Sequence, residues 1–314
     1  MTIDRGSWLR QSEGQNPSGR TAGVMQAHRR TSSGPGGFRL GICWGLGALW
    51  AVSCAASALT LGSPLGAALW AVQLLLLFVI ALLHSSILYG WAGTLAYLVI
   101  GLAISFTFEA MSVAFGFPYG SYVHHSPGPR VLDVPLQAIF IYLVYGWYAW
   151  ILARLLCLET PGRLTGAACL TVPLCGGFIL AGYDYPIDPI MASVAHLWTF
   201  TDPSGQFGVP LTNFLGWILT GWAIFLPMAL LERRFSSASS ISGRGYWLLP
   251  CLIWIFQAVQ FVILWMQAPV GEVVTGTRRF VASDIFEAAV AASLFTVLFV
   301  GLVGLARLYP GRQD

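Results

Sequence analysis

Three acidic residues lie in otherwise apolar stretches of the sequence and are the first candidates for chemistry. Glu109 follows a long run without a charged residue, and Asp184 and Asp188 flank a Tyr-Pro-Ile tripeptide. In a continuous helix, Asp184 and Asp188 would share one face at a spacing of i, i+4. The ring of Pro186 would, however, press on the carbonyl group of Gly182. The sequence therefore predicts a kink or a helix end between the two aspartates.

The two acidic stretches belong to an apparent internal repeat. The spacing between Glu109 and Asp184 recurs for two other pairs of identical strings. At this spacing Val134-Pro135-Leu136 matches Val209-Pro210-Leu211, and Gly146-Trp147 matches Gly221-Trp222. Each unit would be a helix ending in a carboxylate, a loop, and a second helix that begins at a proline. Two such units in one orientation would be related by an axis along the membrane normal, with both acids facing a shared cavity.

The composition indicates the elements that must position these acids. The 314 residues are 56% hydrophobic and only 9% charged, whereas soluble domains are about 25% charged. A helix needs about 20 apolar residues to cross a bilayer. Runs of this length lie near residues 40–60, 64–84, 92–114, 135–157, 163–183, 209–231, 246–267 and 283–306. The predicted fold class is all-α, a polytopic membrane bundle of about eight transmembrane helices.

The arginines predict the orientation of the bundle, because basic residues concentrate on the cytoplasmic side. With the N-terminus inside, thirteen arginines lie on inner segments and three, Arg130, Arg278 and Arg279, on outer segments. We therefore expect an integral protein of a bacterial inner membrane with both termini in the cytoplasm, and loops 115–134 and 184–208 outside. The net charge of +3 is too small to indicate a nucleic-acid partner.

Two regions are expected from the distribution of apolar residues. Residues 1–38 are rich in Ser, Gly, Gln and Arg and lack an apolar run, which is typical of a disordered tail, here on the cytoplasmic side. Residues 39–310 form the integral membrane domain.

Other polar residues near the acids are candidates for support. Asn213, a polar group in an apolar helix, needs a partner and could orient an acid or a water molecule. We expect hydrogen bonds at the outer opening of the shared cavity from His124, His125 and His196. A mononuclear metal site built from these three histidines is the alternative. The five histidines are too few and too scattered for a histidine-rich di-iron centre.

Several strings, taken together, resemble the membrane-embedded carotenoid biosynthesis protein family. They are Glu109, Phe115-Gly116-Phe117-Pro118-Tyr119-Gly120, Val134-Pro135-Leu136, Asp184-x-x-x-Asp188-Pro189, Trp198 and Phe207-Gly208-Val209-Pro210-Leu211-Thr212-Asn213-Phe214-Leu215-Gly216-Trp217. The characterised members are carotenoid hydratases of the gamma-carotene 1',2'-hydratase and bisanhydrobacterioruberin hydratase type. The resemblance covers residues 92–231, and it implies addition of water to the terminal double bond of an acyclic carotenoid.

The residues suit the implied chemistry. Protonation of an alkene by a carboxylic acid in apolar surroundings gives a tertiary carbocation, which aromatic faces stabilise and water captures. Under this reading Asp184 or Asp188 donates the proton, Glu109 is the water-orienting base, and Asn213 supports it. The substrate, a hydrophobic polyene or isoprenoid within the lipid bilayer, would contact Tyr119, Tyr122, His196, Trp198, Phe207, Asn213 and Trp217. We expect neither a metal nor another cofactor.

The sequence is also compatible with three other functions. A terpenoid or polyketide cyclase would use the same protonation but quench the cation with an internal group. A prenyltransferase could use Asp184 and Asp188 to bind magnesium diphosphate, although only Arg130 lies nearby as a phosphate ligand. A transporter or non-catalytic membrane protein is favoured by repeats and broken helices.

Overall fold

The computed structural model describes residues 35–157, 164–235 and 243–309. The helices are α1 (Pro35–Leu59), α2 (Pro64–Phe115), α3 (Leu136–Leu156), α4 (Ala168–Pro189), α5 (Leu211–Phe235), α6 (Arg244–Met266), α7 (Ala282–Ser293) and α8 (Phe299–Leu308). A π-helical segment joins α7 to α8, so that both form one membrane-length helix. In the described parts of the chain, seven helices are long and apolar enough to cross a membrane. The predicted all-α membrane bundle is confirmed.

The first helix begins at Pro35. The predicted disordered tail comprises residues 1–38. Residues 1–34 lie outside the described part of the chain, and residues 35–38 are helical. The helix thus starts four residues before the predicted boundary of the membrane domain.

Helix α2 accounts for two of the predicted spans. Its 52 residues would measure about 78 Å as a straight helix, more than twice the thickness of a hydrocarbon core. The backbone leaves the helical region at Gly90, with φ 65° and ψ 176°. The hydroxyl oxygens of Ser85 and Thr94 lie 3.0 Å apart, although nine residues of straight helix span about 13 Å. The chain therefore reverses at Gly90, and eight spans result.

Both halves of α2 pack against α3, as this reversal requires. The Tyr148 hydroxyl donates a hydrogen bond to the Leu77 carbonyl oxygen at 2.8 Å, and the Tyr97 hydroxyl donates to that of Leu143 at 2.8 Å. Leu77 and Tyr97 lie on opposite sides of Gly90 yet contact neighbouring turns of one helix. Each half therefore forms a separate span.

Helix α4 continues through both aspartates. Of the two predicted alternatives, a kink or a helix end, the helix end is therefore wrong. Helix α4 includes Pro173, Pro186 and Pro189 and is followed by a π-helical segment, Ile190–Val194. Residues 184–194 are thus helical and do not belong to the outer loop. One lost backbone hydrogen bond at Pro186 does not end the helix, because α4 packs closely against α5. A Cβ atom on Gly177 would lie 2.5 Å from the Ile218 carbonyl oxygen, so only glycine permits this approach.

Short antiparallel strands connect the loops between the helices. Strand β1 (Tyr122–His124) pairs with β4 (Trp198–Phe200), β2 (Arg130–Val131) with β3 (Val134–Pro135), and β5 (Glu272–Thr275) with β6 (Arg278–Val281). In the first ladder, Tyr122 lies opposite Phe200 and His124 opposite Trp198. This ladder joins the loop after α2 to the loop after α4.

The contact between α3 and α5 agrees with the predicted repeat. Trp150 on α3 and Phe225 on α5 are equivalent positions of the two units, and their rings stack with centroids 5.5 Å apart. An axis along the membrane normal would bring equivalent residues together in this way. It would also pair equivalent loops in antiparallel fashion, as strands β1 and β4 are paired.

A buried ion pair lies at the other end of these helices from the acids singled out in the sequence. Arg154 of α3 contacts Glu232 of α5, and both side chains are 1% exposed. The Tyr89 hydroxyl donates a hydrogen bond to Glu232 at 3.1 Å and accepts one from the Trp150 indole at 2.8 Å. Two opposite charges can be buried at a tolerable cost only when they are paired and hydrogen-bonded. The ion pair and the Tyr89 hydroxyl meet this condition, and they link α2, α3 and α5.

Candidate active site

Glu109, in the last two turns of α2, is surrounded by three hydrogen-bonding groups. Tyr122 donates its phenolic hydrogen to Oε2, and the Tyr142 hydroxyl donates to Oε1 at 2.9 Å. The His124 Nε2 atom lies 3.3 Å from Oε2. Tyr122 and His124 reach the acid from the same face of β1, since alternate residues of a strand point the same way. Glu109 is thus buried, but its carboxyl group is well supplied with partners.

Tyr119 and Tyr122, which lie in the loop after α2, are held in their protonated form. Burial and then the nearby Glu109 carboxylate keep the pKa of the Tyr122 phenol well above its usual range. The same two causes, in the same order, raise the pKa of Tyr119. Tyr122 therefore acts as a hydrogen-bond donor to Glu109 at any ordinary pH.

Asp184 and Asp188 share one amide group. They lie one turn apart on α4, and the Asn213 Nδ2 atom of α5 is 3.0 Å from Asp184 Oδ2 and 2.5 Å from Asp188 Oδ2. Both carboxyl groups are almost completely buried, at 3% and 1% exposure. The two hydrogens of the amide are thereby used, one for each acid. Asn213 therefore fixes both acids through α5.

The two groups of acids are close enough to interact. Asp184 and Asp188 both lie within electrostatic reach of Glu109. Trp198 lies beside Asp188, and its ring approaches that of His124 edge to face, with centroids 6.3 Å apart. Hence the end of α2, the end of α4, the start of α5 and the β1–β4 ladder together form one site.

Two buried polar atoms in this site lack a hydrogen-bond partner among the described residues. They are Oδ1 of Asp188 and Nδ1 of His124. A buried polar atom without a partner is costly and commonly contacts a ligand or a water molecule in the working protein.

Aromatic rings form a wall beside Glu109. Tyr142 stacks on Trp217 at a centroid distance of 4.3 Å and on Tyr119 at 6.0 Å. The Tyr119 hydroxyl lies 2.6 Å from that of Thr220. Phe200 packs edge to face on Tyr122 at 5.5 Å. These π-faces could stabilise a cation that forms next to the acids.

The structure thus brings together most of the residues singled out in the sequence, but not His196 and Phe207. His196 is exposed at the end of the π-helical segment, with φ 50°. Phe207 packs on Phe280 at 5.4 Å, away from the acids. The His125 side chain is bound to Thr199 at 2.7 Å, so the three histidines considered for a metal site have separate surroundings.

Sequence reasoning did not predict that Tyr142 donates a hydrogen bond to Glu109 or that His124 lies against this acid. A signal existed for each of them. Tyr142 is the repeat equivalent of Trp217, at the same offset that relates Glu109 to Asp184. His124 follows Tyr122 by two positions, which a predicted strand would have placed on the same face.

A cleft of about 450 Å³ opens beside the aromatic wall. It lies between the end of α2 and the start of α5, and Phe200, Asp202 and Thr212 are among its lining residues. Phe200 separates the cleft from Tyr122, with which its ring is in contact. Phe200 therefore lines the cleft and also contacts Tyr122, which is hydrogen-bonded to Glu109.

A known protein family matches most of this chain. The model of the carotenoid biosynthesis protein family matches residues 69–281, which is more than half of the sequence. The chain belongs to the carotenoid biosynthesis protein family. Neither a curated protein nor a solved structure matches it.

Membership in the carotenoid biosynthesis family confirms the resemblance noted in the sequence. The matched region, 69–281, extends from α2 to β6 and includes all three acids, Asn213 and the β1–β4 ladder. This membrane protein therefore has a role in carotenoid biosynthesis.

Proposed function

We propose that the protein is a hydratase that adds water to the terminal double bond of an acyclic carotenoid or related isoprenoid. One observation carries this proposal: Glu109, Asp184 and Asp188 are buried in a single site beside stacked aromatic rings. Family membership supports a carotenoid-related substrate. Addition of water to an alkene needs an acid, a base and a surface that tolerates a cation, and these residues can supply all three.

Asp184 or Asp188 is the proposed proton donor. Two carboxylates that approach the same amide group repel each other when both are ionised, which favours a shared proton. That proton passes to the less substituted carbon of the terminal double bond and leaves a tertiary carbocation. Asn213 holds both oxygens in place during the transfer.

The remaining steps involve the other half of the site. The faces of Tyr142, Trp217 and Tyr119 stabilise the cation. Water enters from the cleft at Phe200 and attacks the cationic carbon. Glu109 and the side chains hydrogen-bonded to it, Tyr122, His124 and Tyr142, together orient this water and receive its proton. The product is a tertiary alcohol, and the reaction needs neither a metal nor a redox cofactor.

We also propose that both termini are cytoplasmic and that the acids lie at the outer side of a bacterial inner membrane. The distribution of the arginines supports this orientation. The polyene would then lie within the bilayer, with its end group among the acids.

Labelled water tests the reaction. Membranes containing the protein are incubated with an acyclic carotenoid in H₂¹⁸O and, separately, in D₂O, and the extracted product is analysed by mass spectrometry. We expect one solvent oxygen in the hydroxyl group and one solvent deuterium on the adjacent carbon. A cyclase would incorporate deuterium but no solvent oxygen, and a transporter neither. A hydroxyl derived from molecular oxygen would replace the proposal with an oxygenase.

A further inference from the structure

The hydrogen bonds around Glu109 leave this carboxyl group poorly placed to act on water directly. Tyr122 and His124 approach Oε2, and Tyr142 donates to Oε1 at 2.9 Å. Three side chains therefore already surround the acid, which is 5% exposed. They use three of the about four acceptor positions of a carboxylate, so at most one position is left for a water molecule.

His124 has one ring nitrogen engaged and one free. Its Nε2 atom faces Glu109 Oε2 at 3.3 Å, whereas Nδ1 is buried without a hydrogen-bond partner among the described residues. Since a carboxylate accepts hydrogen bonds, the proton of a neutral imidazole belongs on Nε2. The Nδ1 atom is then a free acceptor, and His124 is 7% exposed.

The other unpartnered atom of the site belongs to an acid. Asp188 Oδ1 is buried without a hydrogen-bond partner among the described residues, while Oδ2 accepts a hydrogen bond from Asn213. Trp198 lies next to both His124 and Asp188. The Trp198 ring therefore contacts His124 edge to face, and the same residue lies within hydrogen-bonding reach of Asp188.

We infer that His124 Nδ1 takes the proton of the attacking water and that Glu109 is a positioning residue for His124. The inference rests on the proposed function and assigns its base. As the C–O bond forms, one O–H bond of the water breaks, and its proton goes to Nδ1. The resulting imidazolium later returns a proton to the carboxylate that protonated the alkene, so the net change is addition of one water molecule. The arrangement of carboxylate, imidazole and water corresponds to the general-base half of a catalytic triad.

Substitution of His124 separates the two halves of the reaction. His124→Asn in full-length protein should lower the rate of ¹⁸O incorporation at least about a hundredfold, the low end for loss of a general base. Deuterium should still enter the end group of the recovered substrate, because the acid can protonate the alkene and the cation can lose a proton again. His125→Asn is the matched control, since His125 is exposed and contacts Thr199.

Two further variants test the assignment independently. Added imidazole should restore hydration by the His124→Ala variant, because it replaces the missing ring. Added acetate, which would replace a carboxylate base instead, should not restore it. Glu109→Gln places an amide beside Nε2 that can donate a hydrogen to it, which moves the ring proton to Nδ1. This variant should therefore lose ¹⁸O incorporation but keep deuterium exchange, a combination that mere structural damage would not produce.

The outcomes distinguish this inference from the proposed function. Absence of solvent oxygen from the wild-type product overturns hydration itself. A hydrating wild type with an unimpaired His124→Asn variant overturns only the role of His124. Loss of deuterium exchange in a folded His124→Asn variant, or failure of imidazole to restore His124→Ala, also contradicts the role as base.

Discussion

Tyr142 and Trp217 stack on each other with ring centroids 4.3 Å apart, and they are equivalent positions of the two repeat units. Trp150 and Phe225 show the same relationship about two turns further along the same helices. Equivalent residues of a repeat contact each other only close to the axis that relates the two units. The candidate site therefore lies near this axis, and the two units contribute different residues to it: Glu109, Tyr122, His124 and Tyr142 from the first, and Asp184, Asp188 and Asn213 from the second.

Each of the three acids should be required for activity. Glu109→Gln, Asp184→Asn and Asp188→Asn are expected to lower turnover at least about a hundredfold each. An amide can neither donate the proton that Asp184 or Asp188 transfers nor replace the negative charge of the Glu109 carboxylate beside His124. Product formation from a carotenoid substrate is the measurement. Glu272→Gln serves as a control, since that side chain is 58% exposed on β5. An acid whose replacement leaves full activity does not belong to the site.

The orientation can be measured by cysteine labelling. Single cysteines at Ser204 and at Thr165, both exposed, are introduced after the six native cysteines have been replaced. An impermeant maleimide added to intact cells should label the variant at Ser204 and not that at Thr165, because the arginines predict the α4–α5 loop outside and the α3–α4 loop inside. The opposite pattern would reverse the topology.

The packing of Tyr119 against α5 depends on Gly216. A Cβ atom at this position would lie 2.4 Å from Tyr119 Cδ1 and 3.1 Å from the Pro118 carbonyl carbon. We expect Gly216→Ala to destabilise the protein by about 1–3 kcal/mol and to lower activity by displacing Tyr119 from Tyr142. Gly45→Ala is the comparison, because a Cβ atom there would have no neighbour within 4 Å and alanine favours a helix. Equal denaturation midpoints and activities for the two variants would contradict the packing argument.

The ion pair between Arg154 and Glu232 should matter for stability rather than for chemistry. Glu232→Gln removes the negative partner of a buried guanidinium group, which typically costs about 3–5 kcal/mol. Arg279→Gln removes an exposed pair with Glu272 and should cost about 0–1 kcal/mol. Unfolding of the purified proteins in mixed micelles by increasing denaturing detergent would compare them. Similar midpoints for the two variants would show that the buried pair is dispensable.

The positions of the spans could be predicted because a bilayer imposes one simple requirement, about 20 apolar residues in a row. The predicted span ended at residue 183, whereas the helix continues to Val194. The prediction of a helix end rested on the one backbone hydrogen bond that Pro186 removes, and it took no account of tertiary packing. Continuation of α4 depends on its close contact with α5 through Gly177 and Gly221, which are distant from each other in the sequence. Packing of that kind cannot be seen in a local stretch of sequence.

The acids and Asn213 were predictable for a related reason, since polar groups stand out in apolar helices. Tyr142 did not stand out among 11 tyrosines, 13 tryptophans and 19 phenylalanines. The position of His124 depends on the pairing of β1 with β4, two segments that are separated in the chain by α3 and α4. Sequence reasoning therefore identified the charged groups of the site but not the neighbours that orient them.

The reversal at Gly90 has a consequence for biosynthesis. Between Leu40 and Pro129 the chain has neither arginine nor lysine, so the two halves of α2 contain no topological signal of their own. The bond between Ser85 and Thr94 closes the bend within the helix and leaves no loop between the halves. The two halves should therefore enter the bilayer together as a helical hairpin, and the arginines of flanking segments must determine which way the hairpin faces.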